Sequence, residues 1–260
     1  MKYVGSKNRI AKDIVPIIQR CIDENKIKTY IEPFAGGMNI IDKIKCENRF
    51  ANDNNPYLIE LFKNLDKLDT LPNVIDKDTY DKVRDNYNNK GNAYSDWYTG
   101  AIGFLASYNG RFFDGGYAKT LITKTGVTRN YYLEAKNNLL AQRPYLADIH
   151  FSCGDYETTG NVSSAVIYCD IPYKGVKQYT TSKNFDYDRF WDWARNMSTN
   201  NIVIISELNA PNDFNCIWEQ TLLRTIDNTK RVASTEKLFT YSHGKYAEYM
   251  NNCLTIFCMC

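Results

Sequence analysis

Histidine is almost missing from this chain: two residues in 260. No C-x-x-C pair occurs either, and the nearest approach is Cys258-x-Cys260 at the far end. Structural zinc sites draw on paired ligands at short spacings, so this composition argues against one, and no metal is expected. Long apolar runs are lacking too. Nowhere do about 18 apolar residues follow one another, so no membrane-spanning helix is expected. Met1–Arg9 is basic and polar, unlike the apolar heart of a secretion signal. The eight cysteines, several inside apolar runs (Cys169, Cys253, Cys258), are therefore expected as buried thiols in a reducing cytosol.

Charge of either sign is not in excess. The formal net charge is +2, with 24% charged and 43% hydrophobic residues, ordinary for a globular chain. Its distribution is uneven. Residues 1–28 carry seven basic against three acidic side chains, residues 111–145 six against two, and residues 55–85 five against seven. Two basic segments make a phosphate-tracking face if the fold unites them, and two ordinary solvated surfaces if it does not. Twenty tyrosines and many asparagines offer flat, half-polar surface of the kind that binds nucleic acid, although genomic base bias yields the same usage.

The length suits one large domain or a domain with an insertion. Ile10, Ile14, Ile17 and Ile18 share a helix face, with Pro16 as a kink. Thr29–Ile31 reads as a short strand, Glu32–Gly37 as a turn, and Met38–Ile44 as the opening of a helix. The plan repeats with a strand over Arg49–Ala51 and a helix carrying Leu58, Leu61, Phe62 and Leu65 on one face. Strands recur in IHFSCGDYE, AVIYCDIPY and NIVIISELN, a helix covers Tyr187–Met197, and CLTIFCM reads as a closing strand. This alternation predicts an α/β fold, a Rossmann-like and mostly parallel sheet with helices on both faces. Residues 68–145 break the rhythm. They hold a helix around Thr79–Tyr87, and Asn109-Gly110 predicts a hairpin turn. The expected organisation is a core of residues 1–54 and 146–260 around an insertion of residues 55–145.

Ligands of such sheets bind beyond the carboxyl ends of the strands, where strand order reverses. The residues that end strands are therefore the candidates: Glu32–Gly37, Asp53, Asp155 and Asp170–Tyr173. EPFAGG is a side-chain-poor turn that lets a ligand lie against backbone. No G-K-[ST] follows it, and the G-x-G-x-x-G spacing is absent. Asp53 lies 17 residues past Gly36 at the end of the next strand, where an acid meets ribose hydroxyls. Beside Asn54, Asn55 and Pro56 it also suits a helix N-cap, and the two roles are compatible. A nucleoside ligand without a phosphate fingerprint suggests S-adenosylmethionine, whose sulfonium favours nearby negative charge or aromatic faces.

YCDIPY resembles the D-P-P-Y motif of amino-group DNA methyltransferases. With KYVGSKNRI, YIEPFAGG, ANDNNPYLIELF and SYNGRFFDGGY, in the same order along nearly the whole chain, it resembles the Dam-type adenine-specific DNA methyltransferases (D12 class, alpha group). The resemblance implies S-adenosylmethionine as cofactor, double-stranded DNA as substrate, and the N6 amine of a flipped-out adenine as methyl acceptor. An RNA or cytosine-N4 methyltransferase, or a catalytically degenerate DNA-binding relative, are the alternatives. The motif implies that Asp170 and the main-chain carbonyl of Ile171 accept the two N–H bonds of the amine, that Pro172 stiffens the turn, and that Tyr173 stacks on the base. Such stacking contributes on the order of 1–3 kcal/mol. Ile171 stands where the motif has its first proline. Any residue supplies a carbonyl, but some stiffness is lost.

By the same resemblance Tyr3 and Lys7 match an N-terminal motif that helps hold the cofactor. Glu32, Phe34 and Gly36 match the glycine-turn motif, Asp53 the ribose acid, and Asp155 and Tyr156 the segment beside the cofactor's adenine. Asp170 also borders the cofactor. The insertion becomes a target-recognition domain in which Asn109, Arg111 and Lys119 face DNA, with Lys124 and Arg129 of TKTGVTRN on its backbone. Arg111 reads a base or touches a phosphate. A monomer, in the cytoplasm of a bacterial or phage-infected cell and in some cases paired with a cognate restriction endonuclease, completes the expectation.

Overall fold

The computed structural model describes residues 1–123, 125–174, 185–225 and 231–257. Its elements run α1 (Ala11–Glu24), β1 (Thr29–Glu32), β2 (Asn48–Asp53), α2 (Pro56–Lys63), α3 (Lys77–Asn88), α4 (Asp96–Leu105), β3 (Thr120–Ile122), β4 (Thr128–Asn130), α5 (Tyr131–Gln142), β5 (Ile149–Cys153), β6 (Ala165–Asp170), α6 (Tyr187–Ser198), β7 (Ile202–Glu207), β8 (Phe214–Thr225), β9 (Arg231–Tyr241) and α7 (Ala247–Phe257). No helix among the described residues is long and apolar enough to cross a membrane.

Seven strands form one sheet in the order β5-β2-β1-β6-β7-β9-β8, and β3 and β4 form a separate antiparallel pair. β1, β6 and β7 are parallel, with Ile31 beside Ile167 and Asp170 beside Ser206. β9 runs antiparallel to both β7 and β8. Every residue of β7, and all of β6 except Asp170, is buried. Such near-continuous apolar runs mark strands covered on both faces, which is how parallel strands are housed. The chain passes from β1 to β2 and β5 on one side, and from β6 to β7 on the other, so strand order reverses between β1 and β6. The expected α/β sheet is present.

Three local expectations are corrected, and one element is added. Of CLTIFCM, Cys253 to Phe257 belong to helix α7 and not to a strand, and Cys258 and Met259 lie outside the described residues. A short apolar run does not distinguish the two by period, and the Met250 amide bonds back to the Tyr246 carbonyl at 2.9 Å. The hairpin of β8 and β9 escaped the sequence reading altogether. Met38–Ile44 does not open a regular helix. Met38 takes a left-handed φ of 56°, and the Gln142 side-chain amide donates to the carbonyls of Met38 (2.9 Å) and Gly37 (3.2 Å). Only a 3-10 turn, Ile41–Lys43, follows. Asn109 and Gly110 are both left-handed, as a hairpin turn requires, yet they lie in a 3-10 turn, Tyr108–Gly110, whose loop is closed by a single bridge between Ser107 and Tyr117.

Contacts divide the chain into two compact units. The first comprises Met1–Val15, Ala35–Ile44 and Ala51–Asp155. In it α2 begins at Pro56, a residue suited to a helix's first turn, and Asn55 caps it by accepting from the amides of Tyr57 (3.0 Å) and Leu58 (3.2 Å). α2 packs closely on α4 because Gly100 has no side chain. The second unit comprises Pro16–Phe34, Lys45–Phe50 and Tyr156–Cys260. Its core gathers Ile31, Ile167, Cys169, Ile171, Phe190 and Ile205.

A methyl group on Gly100 would lie 2.1 Å from the Tyr57 carbonyl oxygen, backbone that has little room to retreat. Gly100→Ala is therefore expected to destabilise the protein by about 2 kcal/mol, despite alanine's better helix propensity. A urea unfolding curve with an unshifted midpoint would contradict this packing.

Candidate active site

On the second unit, β6 delivers its acid at the reversal point. Val166–Cys169 are fully enclosed, and Asp170 is the first residue of the strand with solvent access. Ile171 returns to the core at 2% exposure. The next three residues are each tied down. The Tyr187 phenol donates to the Pro172 carbonyl at 2.8 Å. The Tyr173 phenol donates to Glu236 Oε2 at 2.6 Å, which leaves the Ser206 hydroxyl, 2.9 Å away, to donate to the phenol oxygen. The Lys174 amide donates to Glu207 Oε2 at 3.1 Å, while Glu207 Oε1 accepts from Leu208 N at 2.6 Å. Among the described residues no donor reaches the Ile171 carbonyl. Burial, with help from the charges of Asp170 and Glu236, holds the Tyr173 phenol well above its ordinary range, so it stays a donor.

β1 ends beside β6 in Glu32, which is buried and accepts from the Tyr30 phenol at 2.7 Å. Phe34 is half-buried and packs on Tyr156 (5.3 Å between ring centroids), Phe185 and Phe190 (both 5.8 Å). Tyr156 is thus a core aromatic. The second unit brings Glu32, Phe34 and Tyr156 together with the Asp170–Tyr173 turn at the carboxyl ends of two neighbouring parallel strands.

The first unit holds the glycine turn. Asp53 is buried, and its two carboxylate oxygens accept from separate amides, Gly36 N and Asn55 N, each at 3.0 Å. Asn55, not Asp53, caps the helix. Asp53 instead braces the turn to the end of β2, and Ala35 N donates to Asn52 O at 2.8 Å beside it. Gly36 has φ 47°, and the Tyr3 ring lies where a side chain would go, 3.0 Å from an ideal Cβ. Tyr3 in turn stacks on Phe104 at 5.9 Å. Lys7 is buried, with Nζ 3.5 Å from the Gly5 carbonyl. Asp155 is exposed.

Of the residues expected at DNA, Asn109 and Lys119 are exposed and Arg111 is half-buried. Gly110 presses so closely on the Lys2 carbonyl that a Cβ would lie 2.3 Å from it, which fixes the Asn109–Arg111 turn on this unit. Arg129 forks onto Glu134 (2.8 and 2.6 Å) and lies over the Tyr131 ring at 4.8 Å, so its guanidinium is engaged within the protein. Lys124 lies outside the described residues.

Sequence reasoning missed Tyr187, Ser206, Glu207 and Glu236. Glu207 was within reach, since it ends NIVIISE as Asp170 ends VIYCD. Glu236 needed the β7–β9 pairing, and Tyr187 has no local signal.

A mostly parallel α/β sheet whose order reverses beside an Asp-Ile-Pro-Tyr strand end is consistent with the fold of S-adenosylmethionine-dependent methyltransferases. The family model described as D12 class N6 adenine-specific DNA methyltransferase matches residues 3–203, and the chain belongs to that family. It is similar to the type II methyltransferase M.FokI of Planomicrobium okeanokoites, with 25% identity over 228 residues, 81% of this chain and 34% of that protein. It is also similar to the type II methyltransferase M.MjaIII of Methanocaldococcus jannaschii, with 25% identity over 219 residues, 72% of this chain and 74% of that protein. The chain thus spans 34% of the length of the first relative.

Burial raises the Asp53 pKa above the ordinary 3.8, and the amides of Asn55 and Gly36 only partly offset this. A raised folded-state pKa contributes stability that is present below the unfolded value and is lost as pH rises through the folded value. The stability of the wild type relative to Asp53→Asn is therefore expected to be greatest below about pH 3.8 and to decline toward neutrality. Urea titrations of both proteins across this range measure it, and a pH-independent difference would count against the desolvated carboxylate.

Proposed function

We propose that this protein transfers a methyl group from S-adenosylmethionine to the N6 amine of adenine in double-stranded DNA. The observation that carries the reading is the strand-end turn, where Asp170 is followed by a main-chain carbonyl that no donor among the described residues reaches, while the next carbonyl is already occupied by Tyr187. An exocyclic adenine amine is a poor nucleophile because its lone pair is delocalised into the ring. Two acceptors that take both N–H groups draw the nitrogen toward a tetrahedral shape and free that lone pair. The Asp170 carboxylate and the Ile171 carbonyl are such a pair, and Pro172 restricts the residue that carries the second. Tyr173 presents its ring to an extruded base, with its hydroxyl already committed elsewhere.

The cofactor supplies an electrophilic methyl on a sulfonium. The residues present fit it chemically. Asp53 has an acceptor on each oxygen beyond the amide it already holds, as ribose hydroxyls require. Phe34 offers a half-buried aromatic face, and Tyr156 supports that face from the core. Glu32 and Asp170 add the negative charge a sulfonium favours, Tyr3 and Gly36 shape the turn, and Lys7 and Asp155 are assigned to the polar ends of the cofactor. Attack is direct, with positioning as the main source of rate, and no cysteine takes part. On the DNA side, Asn109, Arg111 and Lys119 are the assigned contacts. Lys124 is expected on the phosphate backbone, and Arg129 serves chiefly to tie β4 to α5 through Glu134.

Two experiments test this. Asp170→Ala is expected to lower methyl transfer to duplex DNA by about 10²–10³-fold, the scale for loss of one preorganised polar partner of the reacting group, with a far smaller effect on cofactor binding, for which Asp170 is one of several assigned groups. Digestion of the labelled product to nucleosides should yield N6-methyldeoxyadenosine; 4-methyldeoxycytidine or a methylated ribonucleoside would replace the proposed substrate. Arg111→Ala is expected to weaken DNA binding. A uniform loss with the salt slope reduced by about one assigns it to a phosphate, and relaxation at a single base pair assigns it to a base.

A further inference from the structure

We propose that Tyr187, Glu207 and Glu236 are positioning residues for methyl transfer, holding the Ile171–Lys174 turn in place of the stiffness that a proline at 171 would supply. The proposal rests on the function proposed above and adds three residues that no part of the D-P-P-Y motif contains. Each residue after Ile171 has its own tether, and each tether comes from a different element: α6 to Pro172, β9 to Tyr173, and β7 to Lys174. Ser206 joins the second tether from the residue paired with Asp170 across β6 and β7.

The arrangement constrains two things that the chemistry uses. Tyr187 on the Pro172 carbonyl fixes the peptide unit that follows the Ile171 carbonyl. Glu236 and Ser206 hold the far end of the Tyr173 side chain, so the ring turns only about an axis anchored at both ends. Glu207 and Glu236 are 2% and 3% exposed. Buried carboxylates are costly unless fully bonded, and each here is bonded to the turn itself. A pair of buried acids spent on one loop gives little net stability, so their use is better explained by where they hold that loop.

Tyr187→Phe removes one hydroxyl and little else. It is expected to lower kcat by about tenfold, while KM for duplex DNA and the cofactor's dissociation constant change by less than about twofold, because misplacement by a fraction of an ångström acts on the reacting geometry. Glu236→Leu should lower kcat similarly, and Glu236→Gln, which keeps an acceptor for the phenol, should restore most of it. In the Tyr173→Phe background Glu236→Leu should cost nothing further, since the bond is already gone. Amide hydrogen exchange should speed up at Tyr173 and Lys174 in Tyr187→Phe, with protection of the β7 strand unchanged. Wild-type turnover in Tyr187→Phe and Glu236→Leu, or additive losses in the double variant, would overturn the positioning role while leaving the proposed function intact. Absence of methyl transfer by the wild type on any DNA would instead remove the function, and the positioning role with it.

Discussion

The parallel pairing of β1 with β6 is the constraint from which the rest follows. Their interiors are enclosed, so Ile31, Ile167 and their neighbours offer no place for a polar group. Only the carboxyl ends do. Because the chain departs from the two strands in opposite directions across the sheet, no crossover connects those ends directly. Glu32 and Asp170 occupy the positions this geometry leaves, and the turns that follow them contain Phe34 and Tyr173.

Acids are buried at several points of this fold. Glu32, Asp53, Glu207 and Glu236 are all below a tenth exposed. Desolvation of a carboxylate costs several kcal/mol, of order the stability of a domain when summed over four. What each receives in return is a backbone amide or a phenol. Asp53 shows the balance most directly, since burial wins and its pKa rises although two amides oppose it. Proteins optimised for stability alone do not retain such groups, and three of the four, Glu32, Asp53 and Glu207, close strands of the sheet.

Much of this was legible. A run such as VIYCD announces a buried strand and an acid at its end from five letters, because alternation is absent and the polarity changes at one residue. The glycine turn and Asp53 were legible for the same reason. The edge of the sheet was not. In β8 and β9 the residues Trp218, Glu219, Gln220 and, opposite them, Glu236, Lys237 and Leu238 mix polar and apolar types with a bulge between Cys216 and Trp218, so the alternation loses phase. The identity of α7 was hidden by the brevity of its apolar run. Glu236 was unreadable for a deeper reason: it matters only through a strand paired on β7, and pairing partners are not written in local pattern. Asn55 also took the capping role offered to Asp53, a choice between adjacent residues that composition does not decide.

Ile171 is best understood by asking which freedom it restores. A proline there would fix φ at 171 and delete an amide proton. The direction of the 171 carbonyl depends on ψ, and ψ at 171 is restricted by the residue after it, which is still Pro172. The change therefore loosens the approach to the carbonyl and not its final orientation. The isoleucine side chain then limits φ by another route, since it is buried among Phe190, Val203 and Ile205, where rotation of the backbone would withdraw it. Burying such a side chain contributes about 1.5–3 kcal/mol, comparable to the preference a proline ring imposes. A core anchor before the carbonyl and tethered residues after it bound the same peptide from both ends, which is why a motif missing one proline need not be a motif that has lost its chemistry.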